Sequence, residues 1–147
     1  MRDPPRWHCG GRTVCVCENP AVVAEATGAL GPRCTPLVCT SGEPVAAVTT
    51  LLRQLGSTAA RLCDPGAFDG PGIAIGNRII GKLGGQPARF EEHDFRQAAG
   101  TLACHALTGR PEVPAWDPPL GDTMAVLKRQ VHEGAGAPGP AGGSGAR

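Results

Sequence analysis

The feature that most constrains the fold is a short apolar strand followed at once by a helix, a unit that is repeated along the first half of the chain. The strand segments show no polar alternation, which is typical of strands covered on both faces of a parallel sheet. We predict strands at 13–17, 36–40 and 60–63 and helices at 21–30, 44–55 and from Pro71 onward. This alternation predicts an α/β, Rossmann-like fold: a mostly parallel sheet of about four strands with right-handed connections and helices on both faces.

The second half carries weaker patterns, from which we predict a C-terminal helical extension. A fourth strand is predicted at Arg89-Phe90, and helices over 94–105 and 122–132. The last residues are rich in Gly, Pro and Ala and have almost nothing to bury, which predicts disorder. The predicted organisation is a flexible lead-in at 1–11, one domain at 12–133 and a disordered tail at 134–147.

Composition excludes several classes of protein. The formal net charge is +1, and the chain has three Phe, two Trp and no Tyr. This argues against polybasic binding of nucleic acid and against a platform of rings that stacks single-stranded bases. No apolar run approaches the ~18 residues of a membrane span, and residues 1–5 do not resemble a signal peptide. Since the seven cysteines show no disulfide framework spacing, we predict a cytoplasmic protein with reduced thiols and no membrane partner.

Carboxylates follow three consecutive predicted strands. Glu18 follows the first strand directly, Glu43 follows the second after a turn, and Asp64 and Asp69 flank the loop after the third. Ligands of open parallel sheets bind outside the carboxyl ends of the strands, and a hard cation such as Mg²⁺ takes oxygen ligands. The pattern therefore indicates a divalent-metal site. The alternative is that these residues only cap helices and oppose helix dipoles.

Several blocks of sequence, taken in order, resemble one family. Residues 14–23, 37–44 and 68–77 resemble three motifs of Toprim-type domains, the third as seen in the A subunit of topoisomerase VI. Residues 107–110, 116–118 and 132–133 resemble the downstream part of a more specific group. That group is the C-terminal Toprim-like domain of the nuclease subunits of Wadjet-type plasmid-defence operons, and the resemblance covers roughly residues 12–133.

The resemblance implies a function and a set of site residues. It implies DNA cleavage with Mg²⁺ or Mn²⁺, with Glu18 as ligand or general acid/base and Asp69 as metal ligand. Asp64 and Glu43 are further candidate ligands. The implied partners are DNA and the other subunits of an SMC-like defence complex.

The sequence departs from this family in two respects. The third motif of the family is Asp-x-Asp, whereas Ala67 stands at its first position here. The family also places a DNA-handling region before this domain, and its helical ending is replaced here by the Gly/Pro/Ala tail. We therefore expect a fragment with a weakened metal site and low activity. The alternative function is a non-catalytic α/β module that docks on partner subunits or DNA.

Two smaller groups of residues have open interpretations. Arg78 and Lys82 are predicted to contact DNA as a modest basic surface beside the acidic edge, or to form an ordinary solvated helix face. Cys15 and Cys17 share one face of a strand, but they lack the Cys-x-x-Cys spacing of zinc sites, so core cysteines are expected there.

Overall fold

A four-stranded parallel sheet forms the centre of the fold in the computed structural model, which describes residues 7–42, 44–58, 60–101, 104–109 and 112–132. The strand order is β2-β1-β3-β4, with every pair parallel. The strands are β1 Thr13–Cys17, β2 Leu37–Cys39, β3 Arg61–Asp64 and β4 Gln86–Pro87. The helices are α1 Pro20–Leu30, α2 Ala46–Ser57, α3 Gly70–Gly76 with a π-helical continuation Asn77–Lys82, α4 Glu92–Thr101 and α5 Pro118–Leu127. A short 3-10 turn, Gly31–Arg33, follows α1. A small antiparallel pair, β5 His105–Ala106 and β6 Arg129–Gln130, completes the fold.

The strand order creates a reversal of direction between β1 and β3. The chain moves from β1 to β2 on one side and then crosses back over β1 to β3 on the other. Right-handed connections place α1 on one face of the sheet and α2 and α3 on the opposite face. Ligands of open α/β sheets bind at such a reversal, outside the carboxyl ends of the strands. The predicted α/β, Rossmann-like fold is confirmed.

Two apolar clusters hold these layers together. The first packs α2 and the helix from α3 onto one face of the sheet and includes Val14, Val16, Leu52, Leu55, Leu62, Ile75 and Ile79. The second joins the loop before α3 to the C-terminal part of the chain and includes Phe68, Ile73, Phe90, Phe95, Leu120, Met124 and Val131. The rings of Phe68 and Phe90 meet edge to face at 5.3 Å. The second cluster therefore makes the C-terminal segment part of the same folded unit as the sheet.

The first half of the chain follows its local signals closely. Strand β1 has the predicted bounds, and the Asn19 side chain caps α1 by accepting a hydrogen bond from the Ala21 backbone N–H at 3.0 Å. Helix α2 begins later than predicted, at Ala46. Val45, which the prediction placed inside the helix, precedes it and is 62% exposed.

The prediction of a fourth strand at Arg89-Phe90 is wrong. The strand is Gln86–Pro87, and Arg89 lies in the left-handed region with φ 57°. Phe90 is fully buried between the rings of Phe68 and Trp116. Its apolar character therefore reflects packing in the second cluster rather than pairing in the sheet.

Both predicted C-terminal helices have the wrong ends. Helix α4 spans Glu92–Thr101 rather than 94–105, and the chain is already in β5 at His105. Helix α5 spans Pro118–Leu127 rather than 122–132, because Lys128 adopts φ 49° and ends it. The segment after Lys128 pairs as β6 instead. A short strand that forms by pairing with a distant segment has no period in its own sequence from which it could be predicted.

The predicted lead-in is described only from residue 7, and the predicted tail at 134–147 lies outside the described residues. Among the residues that the structure describes, no helix is long and apolar enough to cross a bilayer.

Candidate active site

Two acidic residues line one small cavity at the reversal between β1 and β3. Glu18 follows β1 and is half-buried, and Asp64 ends β3 and is 3% exposed. Both line a cavity of about 10 Å³, enough for one water-sized group, together with Gly66 and Gly72. Oδ1 of Asp64 accepts a hydrogen bond from the Gly66 backbone N–H at 2.9 Å, and Oδ2 is shielded from solvent. The strand order thus brings together acids that are far apart in sequence.

The register of the strands explains why these side chains share a face. Val14 lies opposite Leu62, which brings Val16 level with Asp64 two residues further along both strands. Side chains two residues apart in a strand point to the same face. Val14, Val16 and Leu62 all pack in the first apolar cluster, under α2 and α3. Asp64 therefore faces the layer that contains α3.

Asp69, the N-cap of α3, is linked to the same cavity through Gly72. It is 6% exposed and caps the helix, its Oδ1 accepting a hydrogen bond from the Gly72 backbone N–H at 2.7 Å. A Cβ on residue 72 would lie 2.1 Å from the Ala67 carbonyl oxygen, so only glycine allows this close approach. Gly72 thereby connects Asp69 to the cavity that Glu18 and Asp64 line.

A histidine from the last described residues contacts Asp69. We call the place where Asp69 and His132 meet, beside the cavity, the corner. His132 Nδ1 lies 2.8 Å from Oδ2 of Asp69. Val131 and Phe68 exchange two backbone hydrogen bonds, at 2.9 and 3.0 Å, and this antiparallel bridge holds the segment that carries His132 alongside the segment that carries Asp69. Asp69 is thus held at both oxygens, by a helix N–H and by an imidazole.

The surrounding hydrogen bonds define the tautomer of His132. The Thr108 backbone N–H can only donate, and its partner at 3.4 Å is Oε1 of Gln130. The Gln130 amide nitrogen therefore faces His132 Nε2, at 3.4 Å, and donates to it. With Nε2 as acceptor, the proton of the neutral ring is on Nδ1, which donates to Asp69. The network therefore makes Nε2 the ring nitrogen that carries the lone pair, and this lone pair accepts the long contact from Gln130.

The predicted carboxylates approach one another without forming a compact triad. Glu18 and Asp64 share the cavity, and Asp69 reaches it through Gly72. Among the described residues, three such ligand atoms lie within 4.8 Å of one another at only one place, which does not include these acids. Glu43, the fourth candidate, lies outside the described residues.

Ala67, at the position where the resembling family has a second Asp, is 1% exposed. Its neighbour Phe68 packs among the aromatic rings of the second cluster, so Ala67 and Asp69 lie on the other side of this extended segment. A carboxylate at position 67 would point toward the side of Asp69. The methyl group of Ala67 offers no oxygen there.

A comparison with protein families identifies the kind of domain. A family model described as "Protein of unknown function C-terminus (DUF2399)" matches residues 2–138. The chain belongs to this family. The DUF2399 match includes every strand and helix described above, and with them Glu18, Asp64, Asp69 and His132. A search of curated proteins found no match.

The two predicted DNA-contacting cations of this DUF2399 domain lie at different edges of the sheet. The Arg78 guanidinium donates to the Pro44 carbonyl oxygen at 3.5 Å. Lys82 lies at the other end of the same helix, where it lines an open groove of about 540 Å³ with Arg53 and Arg61. This groove lies at the amino ends of β3 and β4, so Lys82 is at the opposite edge of the sheet from Asp64.

The cysteines of the sheet form a close pair rather than a zinc site. The sulfurs of Cys15 and Cys63 lie 2.7 Å apart, and no group of three cysteines among the described residues has its sulfurs within 4.8 Å of one another. A hydrogen bond from Cys63 lowers the pKa of the Cys15 thiol, against the opposing effects of burial and of the Asp64 charge. The same bond, together with burial, raises the pKa of Cys63.

An exposed cluster that the sequence analysis missed lies at the start of α4. Ligand atoms of Glu91, His93 and Asp94 lie within 4.8 Å of one another, the exposed His93 Nε2 at 3.2 Å from Asp94 Oδ1. Asp94 Oδ2 also accepts a hydrogen bond from the Glu91 backbone N–H at 3.1 Å. These contacts are typical of acidic residues in the first turn of a helix, where they oppose the helix dipole.

The sequence analysis also missed the roles of His132, Gln130 and Thr108. His132 and Thr108 occur in blocks that carry the family resemblance, but they were not predicted as site residues. Their contacts join distant segments; Asp69 and His132, for example, are 63 residues apart in the sequence. The only signal in the sequence was the resemblance itself, because a contact of that range leaves no local pattern.

Proposed function

We propose that this chain is a Toprim-like, metal-dependent DNA-cleaving domain of a bacterial plasmid-defence subunit, acting with DNA and with other subunits of an SMC-like complex. The observation that supports it best is the shared cavity of Glu18 and Asp64 at the reversal of the sheet. The Asp69–His132 pair adjoins that cavity through the first turn of α3. Acidic groups and an oriented imidazole at one edge are the components that phosphodiester hydrolysis requires.

The donor chemistry fits Mg²⁺ or Mn²⁺, with fewer ligands than the family resemblance implies. Glu18 and Asp64 are among the residues that line the cavity, and carboxylate oxygens are ligands that suit these hard ions. Both oxygens of Asp69 already accept hydrogen bonds, from Gly72 and His132, which favours Glu18 and Asp64 as the principal ligands. Mg²⁺ bound there would polarise a phosphoryl oxygen and lower the pKa of a bound water. Ala67 supplies no ligand, so we expect weak affinity and slow cleavage.

His132 is the residue that we propose to move the proton. Its Nδ1–H is held by Asp69, which fixes the ring orientation and the tautomer. Nε2 then has a lone pair to accept a proton from an attacking water, and the resulting imidazolium is stabilised by the Asp69 carboxylate. The contact from Gln130 to Nε2 is long, at 3.4 Å, so a water can replace it at little cost.

The experiment is plasmid nicking by the full chain in Mg²⁺ or Mn²⁺, with calorimetric titration of Mn²⁺ in parallel. The variants are Glu18→Gln, which removes a proposed ligand, and His132→Gln, which removes the proposed base. The matched control is Glu25→Gln, an exposed acid on α1. We expect Glu18→Gln to abolish Mn²⁺ binding and nicking together. His132→Gln should lower nicking about 10²-fold or more while Mn²⁺ still binds.

The opposite result would support the other function. If the wild type binds no Mn²⁺ and Glu18→Gln changes nothing, the chain is a non-catalytic docking module. If nicking persists in both variants and in the control alike, it comes from a contaminating nuclease.

A further inference from the structure

Strands β1 and β3 carry two cysteines in direct register. Cys15 lies opposite Cys63 in the parallel ladder, and their sulfurs are 2.7 Å apart. Partners in register on neighbouring strands have Cα atoms about 5 Å apart, inside the range that a disulfide spans. The register and the sulfur separation therefore both place the two thiols within reach of an S–S bond.

A second pair in register shows that position alone is not sufficient. Cys17 lies opposite Cys39, and both are on the same face of the sheet as Cys15. The Cys39 thiol, however, is directed to the Glu18 carbonyl oxygen at 3.7 Å, and Cys17 is buried. Cys15 and Cys63 are both half-buried, so part of each is open to a small reagent. Helix α1 packs on β1 and β2, which leaves the pair near the margin of the helix cover.

We propose that Cys15 and Cys63 form a reversible redox site that closes to an intramolecular disulfide by exchange with a low-molecular-weight disulfide of the glutathione type. The Cys15 sulfur attacks one sulfur of the reagent and releases one thiol, leaving a mixed disulfide on Cys15. The Cys63 sulfur then attacks the Cys15 sulfur and releases the second thiol. Two cysteine thiols are oxidised, the reagent disulfide is reduced to two thiols, and both protons leave with them.

The bond would cross-link the two strands whose ends carry Glu18 and Asp64. It would close a loop that contains β2 and α2, since the two cysteines are 48 residues apart in sequence. A cross-link of this span restricts the unfolded chain more than the folded one. Oxidation therefore stabilises the sheet at its reversal, independently of any metal or DNA.

The test is peptide mapping of the full chain after exposure to oxidised glutathione, with EDTA present and the remaining thiols alkylated. Cleavage after Arg leaves Cys15 and Cys17 together in residues 13–33 and Cys63 alone in residues 62–78. We expect these two peptides to be linked, with fragmentation placing the bond on Cys15. The variants Cys15→Ser and Cys63→Ser should lose the link, and the matched control Cys39→Ser should keep it.

Thermal unfolding gives a second readout that does not depend on the variants. Oxidised wild type should melt on the order of 10 °C above the reduced protein, and dithiothreitol should reverse the shift. A bond between Cys17 and Cys39, glutathione adducts without an internal bond, or full alkylation of Cys15 and Cys63 would each overturn the proposal. Because neither metal nor DNA is present, these outcomes are separate from the nicking result.

Discussion

Restoring the missing acid at position 67 tests the proposed metal site by its effect on stability. Ala67 is 1% exposed and lies in a segment flanked by the buried Asp64 and Asp69, so Ala67→Asp adds a third carboxylate to a poorly solvated corner. A buried charge without a compensating partner costs about 3–5 kcal/mol. Domains of this size have only about 5–15 kcal/mol of stability in total. We expect Ala67→Asp to lose about 3 kcal/mol, which lowers the melting temperature by about 10 °C.

Binding of a divalent ion should restore most of the stability that Ala67→Asp loses. An ion that binds only the folded state stabilises it by about 2.7 kcal/mol when its concentration is 100 times the dissociation constant. With three carboxylates at the corner, Mg²⁺ should bind Ala67→Asp more tightly than it binds the wild type. The melting temperature of the variant should therefore rise by close to 10 °C in Mg²⁺, and that of the wild type by much less.

The assay is thermal unfolding followed by circular dichroism, with EDTA and then with increasing Mg²⁺. Ala67→Asn is the matched control, because it adds the same size and polarity without the charge. An Mg²⁺ response in Ala67→Asn equal to that in Ala67→Asp would show that the added charge is not a ligand. A variant Ala67→Asp that is as stable as wild type in EDTA would refute the burial argument itself.

Three further predictions concern stability. Gly72→Ala should cost about 1–3 kcal/mol in urea denaturation, since its Cβ would lie 2.1 Å from a backbone carbonyl oxygen. Leu52→Ala removes a fully buried side chain from the first cluster and should cost about 2–5 kcal/mol, whereas the exposed Val45→Ala should stay within about 0.5 kcal/mol. The Thr123 hydroxyl donates to Glu92 at 2.6 Å and, with Arg96, holds the pKa of Glu92 below its ordinary value. That contribution is present above the unfolded-state pKa and is lost as pH falls through the folded-state value, so Thr123→Val should raise the Glu92 pKa in an NMR titration and lower stability at neutral but not at strongly acid pH.

Each of these has a result that would count against it. Unchanged urea midpoints for Gly72→Ala would mean that the turn before α3 relaxes freely. Equal losses for Leu52→Ala and Val45→Ala would contradict the placement of α2. A stability loss in Thr123→Val that is the same at every pH would assign the effect to packing rather than to the carboxylate.

The fold of the first half was predictable because its information is local. Strand β1 is a short run of β-branched and apolar residues. Asn19 is the N-cap of α1 and Pro20 is its first residue, so this pair marks where the helix begins. Repetition of this unit is enough to predict a parallel sheet, and the handedness rule then places the helices. The carboxyl edge follows from the same reasoning, which is why Glu18 and Asp64 were predicted at one edge.

The second half was not predictable, because its structure depends on distant partners. Phe90 looks like a strand residue in sequence but packs between two rings that come from other segments. The segment ending at His132 has a helical pattern, yet the left-handed Lys128 ends α5 and the following residues pair across the molecule. For the same reason the partner of Asp69 could not be read from spacing.

The backbone bridge between Val131 and Phe68 makes the segment that carries His132 and the loop before α3 depend on each other. Fraying of the last strand would withdraw the imidazole from Asp69 and at the same time free the loop that begins α3. A partner that displaces the 129–132 segment would therefore disturb the Asp69–His132 pair without touching it, and one that holds this segment in place would preserve the pair.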